Sequence, residues 1–248
     1  MTEVTAKDSD FGDKVHISSH PVISHKITTL RSSTTRCGTF RAVLRELTYH
    51  LGYEATSRLS TKPVQISVPV KTHDGETHVD HTGQKLVERV ALIPILRSGQ
   101  GMVEAMTELL PNAAVHHIGM YKVAGANPVQ YYNKLPRQCD ADVAFILDPS
   151  IITSQTTMSV IQILKKWGVK EIHVISVLAS RTGLQAIVEK YPDVYFSLGA
   201  IDEVTETGEL LPGMGDAGDR QFGTVAADED EEELMHPSRR KRTLSEAL

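Results

Sequence analysis

One short, continuous apolar run and four mainly apolar segments that resemble it recur along the middle of the chain, separated by stretches with helical periodicity. A strand that is apolar on both faces must be covered on both sides, and such strands occur in parallel sheets with helices on either face. The runs are ALIPIL (91–96), AVHHIGMY (114–121), DVAFILD (142–148), EIHVISVLA (171–179) and DVYFSLGAID (193–202). We therefore predict an α/β fold with a doubly wound, mostly parallel sheet.

The segments around these runs favour helices. Apolar residues at helical intervals predict helices at roughly 100–110, 156–167 and 181–190. Gly168 follows Trp167 at a position typical of a helix C-cap. An earlier helix, FRAVLRELTYHLGYEAT (40–56), is predicted with Thr39 as its N-cap.

A β-hairpin is predicted before the first apolar run. Val64, Ile66, Val68 and Val70 alternate with other residues, as in a half-buried strand. The Asp74-Gly75 pair is a hairpin turn signal, and the chain as far as Val79 could form the returning strand.

Both ends of the chain lack the apolar residues that a packed segment needs. Residues 1–18 are polar without a sustained period, which predicts a flexible N-terminal arm. From about residue 226, an acidic block (228–233) and a basic block (239–242) predict a disordered tail over 226–248. The basic block precedes Thr243 and Ser245, so a kinase or import-receptor target is the alternative. Residues 19–225 remain as one domain.

Composition excludes several classes of protein. The net charge of -5 and the pI of about 6.1 argue against a nucleic-acid or membrane-surface binder. No stretch approaches the ~18 apolar residues of a membrane span, and the N-terminus lacks a secretory apolar region. Cys37 and Cys139 are too few for a disulfide framework, which favours a reduced cytoplasmic or nuclear setting. The scattered histidines show no zinc-binding spacing.

Ligands of open parallel sheets bind beyond the carboxyl ends of the strands, and the segment ILRSGQGM (95–102) lies at such an end. Arg97 offers a fork of donors suited to phosphate oxygens. Gly99 and Gly101 permit a close approach of the backbone to a ligand. An ordinary turn with a surface arginine is the alternative.

A second strand end carries a hydroxyl-rich loop (residues 148–157). Asp148 ends an apolar run, Pro149 is expected to stop the strand ladder, and a helix follows. A helix N-terminus attracts anions, and hydroxyl groups add donors. An ordinary Ser/Thr-capped helix is the alternative. The polar residues before the helix are Thr153, Ser154, Gln155, Thr156 and Thr157.

The third candidate is a glycine-rich loop, LLPGMGDAGDRQFGT (residues 210–224). Gly213, Gly215 and Gly218 permit turns and close backbone approach. Main-chain N–H and C=O groups in such a loop could read the flat edge of a pyrimidine. A purely structural loop is the alternative.

Together these segments resemble the uracil phosphoribosyltransferases. The matching segments are HPVISHKITTLR (20–31), YEAT (53–56), PILRSGQGM (94–102), HIGMY (117–121), Asp-Pro with its Thr-bearing loop (148–157) and PGMGDAGDRQFGT (212–224). They occur in the family's order. The resemblance implies the phosphoribosyltransferase fold and transfer of phosphoribose from phosphoribosyl pyrophosphate to uracil. The products would be UMP and pyrophosphate, as in pyrimidine salvage.

The resemblance also implies roles for individual residues. The residues placed in catalysis are Arg97, Asp148 and Asp216. Phosphoribosyl pyrophosphate would contact Arg97, Lys122 and Asp216, together with a loop of Asp148, Pro149, Ser150, Ile151, Ile152, Thr153, Ser154, Gln155 and Thr156. Uracil would contact Leu210, Gly215, Asp216 and Ala217.

The resemblance further implies Mg²⁺, which would accompany phosphoribosyl pyrophosphate without an assigned protein ligand. Some members of the family respond to GTP, which makes GTP a candidate activator here. The family is commonly oligomeric, so a homodimer or homotetramer is expected, with the 64–79 hairpin as the candidate dimer arm.

Two departures from the family pattern fall on the phosphoribosyl pyrophosphate side. The family's loop usually reads DPMLATGGS, whereas this chain has DPSIITSQT, with Ser154 and Gln155 replacing two glycines. Where such a glycine has positive φ, another residue costs on the order of 1–2 kcal/mol. Lys122 replaces the usual arginine and loses its fork of donors. Two alternatives therefore stand: a non-catalytic regulator that binds uracil or a uridine nucleotide, and a phosphoribosyltransferase for another base.

Overall fold

The computed structural model describes residues 11–73, 75–121 and 128–224, in which strands and helices alternate. The strands are β1 (Val15–Ile17), β2 (Thr61–Thr72), β3 (Gly75–Leu86), β4 (Val90–Leu96), β5 (Ala114–Val115), β6 (Ile118–Tyr121), β7 (Val129–Asn133), β8 (Val143–Leu147), β9 (Ser150–Ile151), β10 (Glu171–Ser180), β11 (Tyr195–Val204) and β12 (Leu210–Leu211). The helices are α1 (Pro21–Arg31), α2 (Cys37–Thr56), α3 (Gln100–Leu109), α4 (Ser154–Trp167), α5 (Arg181–Lys190) and α6 (Ala217–Phe222).

The main sheet has ten strands and follows the order β1-β11-β10-β8-β4-β6-β7. Neighbours along this path are parallel, except for the antiparallel pair β6 and β7. Val143 of β8 lies opposite both Val90 of β4 and Glu171 of β10, so these three strands run in step. Their carboxyl ends therefore share one edge of the sheet. The predicted fold class is confirmed.

Both faces of the sheet are buried, which explains the mainly apolar segments in the sequence. Alternate residues of one strand point to opposite faces. One core contains Ile93, Ile146 and Val174 from the sheet, with Val160 of α4 and Leu184 of α5. The other contains Leu92, Phe145 and Ile175, with Leu44 of α2 and Met102 of α3. Each central strand thus supplies apolar residues to two helical layers.

Helix positions agree with the sequence prediction, but one predicted cap is wrong. Thr39 lies in the first turn of α2 rather than at its N-cap, because the helix begins at Cys37 and Arg36 occupies the cap position. The Phe40 N–H already donates to the Arg36 carbonyl oxygen, at 2.9 Å. Gly168 does cap α4, with φ of 97°.

Residues 1–18 were predicted as a flexible arm, but Val15–Ile17 form an edge strand of the main sheet. β1 pairs with β11 in parallel, and Val15 is buried. Three residues are too few to display a periodicity in the sequence, so the free edge of β11 determines this strand. Residues 1–10 and the predicted 226–248 tail lie outside the described residues.

The predicted hairpin forms and is longer than expected. β2 and β3 pair from Thr61 opposite Leu86 to Thr72 opposite Gly75, so the returning strand extends beyond Val79. β2 was expected to be half-buried, but Ile66 and Val70 are 44% and 38% exposed in the described chain. Within the described residues, no helix combines the length and apolar character that crossing a membrane requires.

Candidate active site

The three segments singled out in the sequence meet at the carboxyl edge of the sheet. The Ser98 hydroxyl donates to an Asp148 carboxylate oxygen at 3.3 Å, which joins the end of β4 to the end of β8. The Gln221 side-chain N–H donates to the Ser98 carbonyl oxygen at 2.8 Å, which joins the glycine-rich loop to the same turn. The structure therefore assembles one site from three distant parts of the chain.

The turn after β4 (residues 97–99, the Arg97 turn) is packed tightly against β8. The Gly99 N–H donates to the Ile95 carbonyl oxygen at 2.9 Å. A Cβ atom on Gly99 would overlap the Leu147 carbonyl oxygen, and one on Gly101 would overlap the Gln221 side chain. We expected these glycines to let a ligand approach, but here they accommodate neighbouring protein atoms.

Arg97 projects from this turn with its side chain 54% exposed. One guanidinium nitrogen donates to an Asp219 carboxylate oxygen at 2.7 Å, and the other donates to the Thr224 hydroxyl at 3.3 Å. The Thr224 hydroxyl and the Arg97 guanidinium both hold the pKa of Asp219 below its usual value. The arginine is therefore anchored at the rim of the site with donors still exposed to solvent.

Asp148 is buried at the end of β8, but Pro149 does not end the ladder as predicted. The Pro149 carbonyl oxygen accepts from the N–H groups of Val177 and Leu178, each at 3.1 Å. Ser150 and Ile151 then pair again with β10. Proline lacks only the N–H group, so its carbonyl carries the ladder across the interruption.

The middle of the hydroxyl-rich loop faces the protein more than the site. The Ile151 side chain is buried in the core, so a predicted contact of Ile151 with a ligand would use its main chain. The Ile152 carbonyl oxygen accepts from the Ser180 hydroxyl at 2.6 Å. Ser180 also caps α5, accepting from the Gly183 N–H at 2.9 Å, so this loop is fixed to a second helix.

The replacement of two glycines by Ser154 and Gln155 causes no backbone strain. Both residues lie in the first turn of α4, after Thr153 at the cap position. Among the described residues, no residue other than glycine has a positive φ. The cost of about 1–2 kcal/mol that a positive φ would impose therefore does not apply here. Further along the turn, Thr157 is buried, and its hydroxyl has no hydrogen-bond partner among the described residues.

The glycine-rich loop begins at β12 and ends in α6. Gly213 and Gly215 have positive φ values of 62° and 69°, which favour glycine at both positions. The Asp216 carboxylate accepts from the Asp219 N–H at 2.8 Å and so caps α6. The Ala217 side chain is buried in the core, so the groups it can offer a ligand belong to its main chain.

An ion pair that was not predicted from the sequence supports this loop. Arg31 donates to both carboxylate oxygens of Asp202, at 2.6 and 2.7 Å. Both partners also bind Gly213: Arg31 donates to its carbonyl oxygen at 2.8 Å, and Asp202 accepts from its N–H at 2.9 Å. Arg220 braces the other side, donating to the Met214 carbonyl oxygen at 2.7 Å.

Three of the residues predicted to contact uracil have different surroundings. Leu210 belongs to β12 and pairs opposite Val204, while Gly215 and Asp216 are exposed. Lys122 lies outside the described residues, so its predicted contact is not addressed by the structure.

Known proteins share both the sequence and the fold. The family model described as uracil phosphoribosyltransferase matches residues 17–224. A protein named uracil phosphoribosyltransferase from Roseiflexus sp. (strain RS-1) is 41% identical over 213 residues, covering 85% of this chain and 99% of its own length. One of the same name from Agathobacter rectalis is also 41% identical, with the same coverage.

The solved structure of the AQ2163 protein from Aquifex aeolicus is similar to this chain, with a TM-score of 0.71 and 28% sequence identity. The match covers 86% of this chain and 100% of that one. The family match begins at the last residue of β1, and it covers all the other strands of the sheet and all three segments of the site. The chain therefore belongs to the uracil phosphoribosyltransferase family.

Proposed function

We propose that this protein is a pentosyltransferase that converts uracil and phosphoribosyl pyrophosphate into UMP and pyrophosphate. One observation carries this proposal beyond family membership. The Arg97 turn, the hydroxyl-rich loop and the glycine-rich loop are joined at one edge of the sheet by the Ser98 contacts to Asp148 and Gln221. This arrangement supports a site in which Arg97 contacts pyrophosphate, the N-terminus of α4 contacts phosphate and the glycine-rich loop contacts the base.

The proposed phosphoribosyl transfer requires positioning of the substrates and stabilisation of charge, and it does not require a nucleophilic side chain. As pyrophosphate leaves, the ribose carbon gains oxocarbenium character and uracil attacks it. Arg97 donates to the departing pyrophosphate. Asp148 accepts hydrogen bonds from ribose hydroxyls, and the N-terminus of α4 receives the 5-phosphate through its free N–H groups and its dipole.

The main chain of Leu210, Gly215 and Ala217 reads the uracil edge, and Asp216 lies beside the phosphoribosyl group. Asp148 provides the hard oxygen atoms that Mg²⁺ prefers, at the edge where phosphoribosyl pyrophosphate would bind. The ion would neutralise charge on the leaving pyrophosphate. Lys122 adds charge on the same side of the substrate.

Calorimetric titration with phosphoribosyl pyrophosphate and Mg²⁺, followed by uracil and UMP, tests this assignment. The enzyme proposal requires binding of phosphoribosyl pyrophosphate, weakened by Arg97→Ala. A protein that binds uracil or UMP but does not bind phosphoribosyl pyrophosphate would favour the regulator instead. Product formed from a different base would favour the third alternative.

We also propose that the hairpin formed by β2 and β3 is the arm of a homodimer or of a larger homo-oligomer. Ile66, Val70 and Val79 expose apolar side chains along it. A second copy would remove this surface from water. Light scattering should show an oligomeric mass that Ile66→Glu with Val79→Glu reduces to that of the monomer. A monomeric mass for the unmodified protein would contradict the proposal.

Two finer points belong to the same proposal. GTP would act as an activator, which rate measurements with and without GTP test at limiting phosphoribosyl pyrophosphate. The protein would work in the cytoplasm, which cell fractionation tests.

A further inference from the structure

Residues in and just after the short helix α6 hold the Arg97 side chain. Asp219 accepts from Arg97 at 2.7 Å and, on the same carboxylate oxygen, from the Thr224 hydroxyl at 2.7 Å. Thr224 in turn accepts from the other arm of Arg97 at 3.3 Å. Both outer nitrogens of the guanidinium are therefore held by residues of the glycine-rich loop. A half-exposed arginine without such contacts would sample many rotamers.

The same helix also grips the main chain of the turn. Gln221 is fully buried, and its side-chain N–H donates to the Ser98 carbonyl oxygen at 2.8 Å. The main-chain carbonyl oxygen of Gln221 accepts from the Arg41 guanidinium of α2 at 2.8 Å, which ties α6 to a long helix. Gly101 leaves room for the buried amide because it has no Cβ atom. The backbone that carries Arg97 is thus fixed as well as its guanidinium.

The start of α6 lies among the residues proposed to read uracil. The Asp216 side chain caps the helix by accepting from the Asp219 N–H at 2.8 Å. The main-chain carbonyl oxygen of Asp216 accepts from the main-chain N–H of Arg220 at 3.0 Å. Gly215 and Ala217 flank Asp216 directly. The base-reading segment and the anchor of Arg97 are therefore successive parts of one hydrogen-bonded unit.

We propose that Asp219 is a positioning residue that, with Thr224 and Gln221, fixes Arg97 for the leaving pyrophosphate. This inference rests on the proposed function. The alternative is that Asp219 weakens substrate binding, because a carboxylate beside Arg97 also cancels positive charge. If cancellation dominated, removal of Asp219 would strengthen the binding of phosphoribosyl pyrophosphate; positioning requires that binding weaken.

The test measures kcat and the Kd values of phosphoribosyl pyrophosphate and UMP for variants of the full chain. For Asp219→Asn we expect the Kd of phosphoribosyl pyrophosphate with Mg²⁺ to rise about tenfold and kcat to fall about tenfold, since a misplaced group loses transition-state contacts. The Kd of UMP should stay within about twofold, because UMP has no pyrophosphate for Arg97 to contact. Thr224→Val should also raise the Kd of phosphoribosyl pyrophosphate and lower kcat, but by smaller factors than Asp219→Asn.

Matched controls separate this inference from the proposed function. Asp193→Asn removes another exposed partner, that of Lys165, outside the site, and should change neither Kd. Asp219→Asn placed in the Arg97→Ala protein should add no further loss. If Arg97→Ala itself left binding unchanged, the proposed role of Arg97 would fail, whatever Asp219 does.

Three results would overturn the positioning role while the role of Arg97 stands. Unchanged or tighter binding of phosphoribosyl pyrophosphate by Asp219→Asn would show that positioning does not limit Arg97. An equal loss of UMP binding would make Asp219 a structural support of the base loop. A full additional loss in the Arg97→Ala background would show that Asp219 acts independently of Arg97.

Discussion

Arg31 and Asp202 hold the glycine-rich loop in place, although neither was predicted as a site residue. Their positions are 171 apart in the chain, so no local pattern pairs them. A signal was present, since Asp202 ends an apolar run as Asp148 does, and Arg31 ends a segment that matches the family. The candidate ligand residues were recognisable because their types suit phosphate and pyrimidine. The residues that orient them become evident only once the chain is folded.

The helical backbone at Ser154 and Gln155 leads to a residue-scale prediction. Replacing both by glycine should lower the free energy of unfolding by about 1–2 kcal/mol, because glycine in a helix loses more chain entropy and relieves no strain here. Urea denaturation measures this change. Alanine at both positions is the control and should cause little loss. Greater stability with glycine would show that the native residues are strained.

At the scale of elements, the buried strands were predictable because each needed apolar residues on both faces. β1 and α1 were not predicted. α1 had local signals, with Pro21 in its first turn and His20 accepting from the Val22 N–H at 3.2 Å. β1 was too short to show a pattern, and it is ordered by its neighbour. Long periodic elements are thus readable, whereas edges depend on tertiary contacts.

The packing of the Arg97 turn on β8 can be tested with one methyl group. Gly99→Ala should lower the free energy of unfolding by about 3 kcal/mol, since the added Cβ would overlap a main-chain oxygen of β8. Gly38→Ala is the control, because a Cβ there meets no atom within 4 Å. It should stabilise α2 by about 0.5–1 kcal/mol. Equal effects in urea denaturation would contradict the packing argument.

For the whole molecule, the histidines of the interior predict how stability depends on pH. His173 is buried between Phe145 and Tyr195, and burial lowers its pKa even though Glu171 accepts a hydrogen bond from it. The nearby charges of Lys14 and Arg58 act in the same direction as burial. The unfolded chain, with a histidine pKa near ~6.5, therefore binds a proton before the folded protein does.

Stability should accordingly fall as the pH drops below about 6.5 and continue to fall until the folded-state pKa is reached, by up to about 1.4 kcal/mol per pH unit for this group. Urea denaturation at pH 7.5 and pH 5.5 measures the change, and His173→Gln should reduce the slope. His116, whose pKa burial also lowers, contributes in the same direction. A slope that His173→Gln leaves intact would exclude His173 as the cause.

The whole molecule brings the Arg97 turn, the hydroxyl-rich loop and the glycine-rich loop, which we propose contact pyrophosphate, phosphate and uracil, to one edge of a parallel sheet. The most direct test is to mix purified protein with uracil, phosphoribosyl pyrophosphate and Mg²⁺ and to measure UMP and pyrophosphate. We expect both products in equal amounts, with a strong loss in Arg97→Ala. If the folded protein bound uracil or UMP but formed no UMP in this mixture, the result would contradict the enzyme assignment and favour a regulatory binding protein.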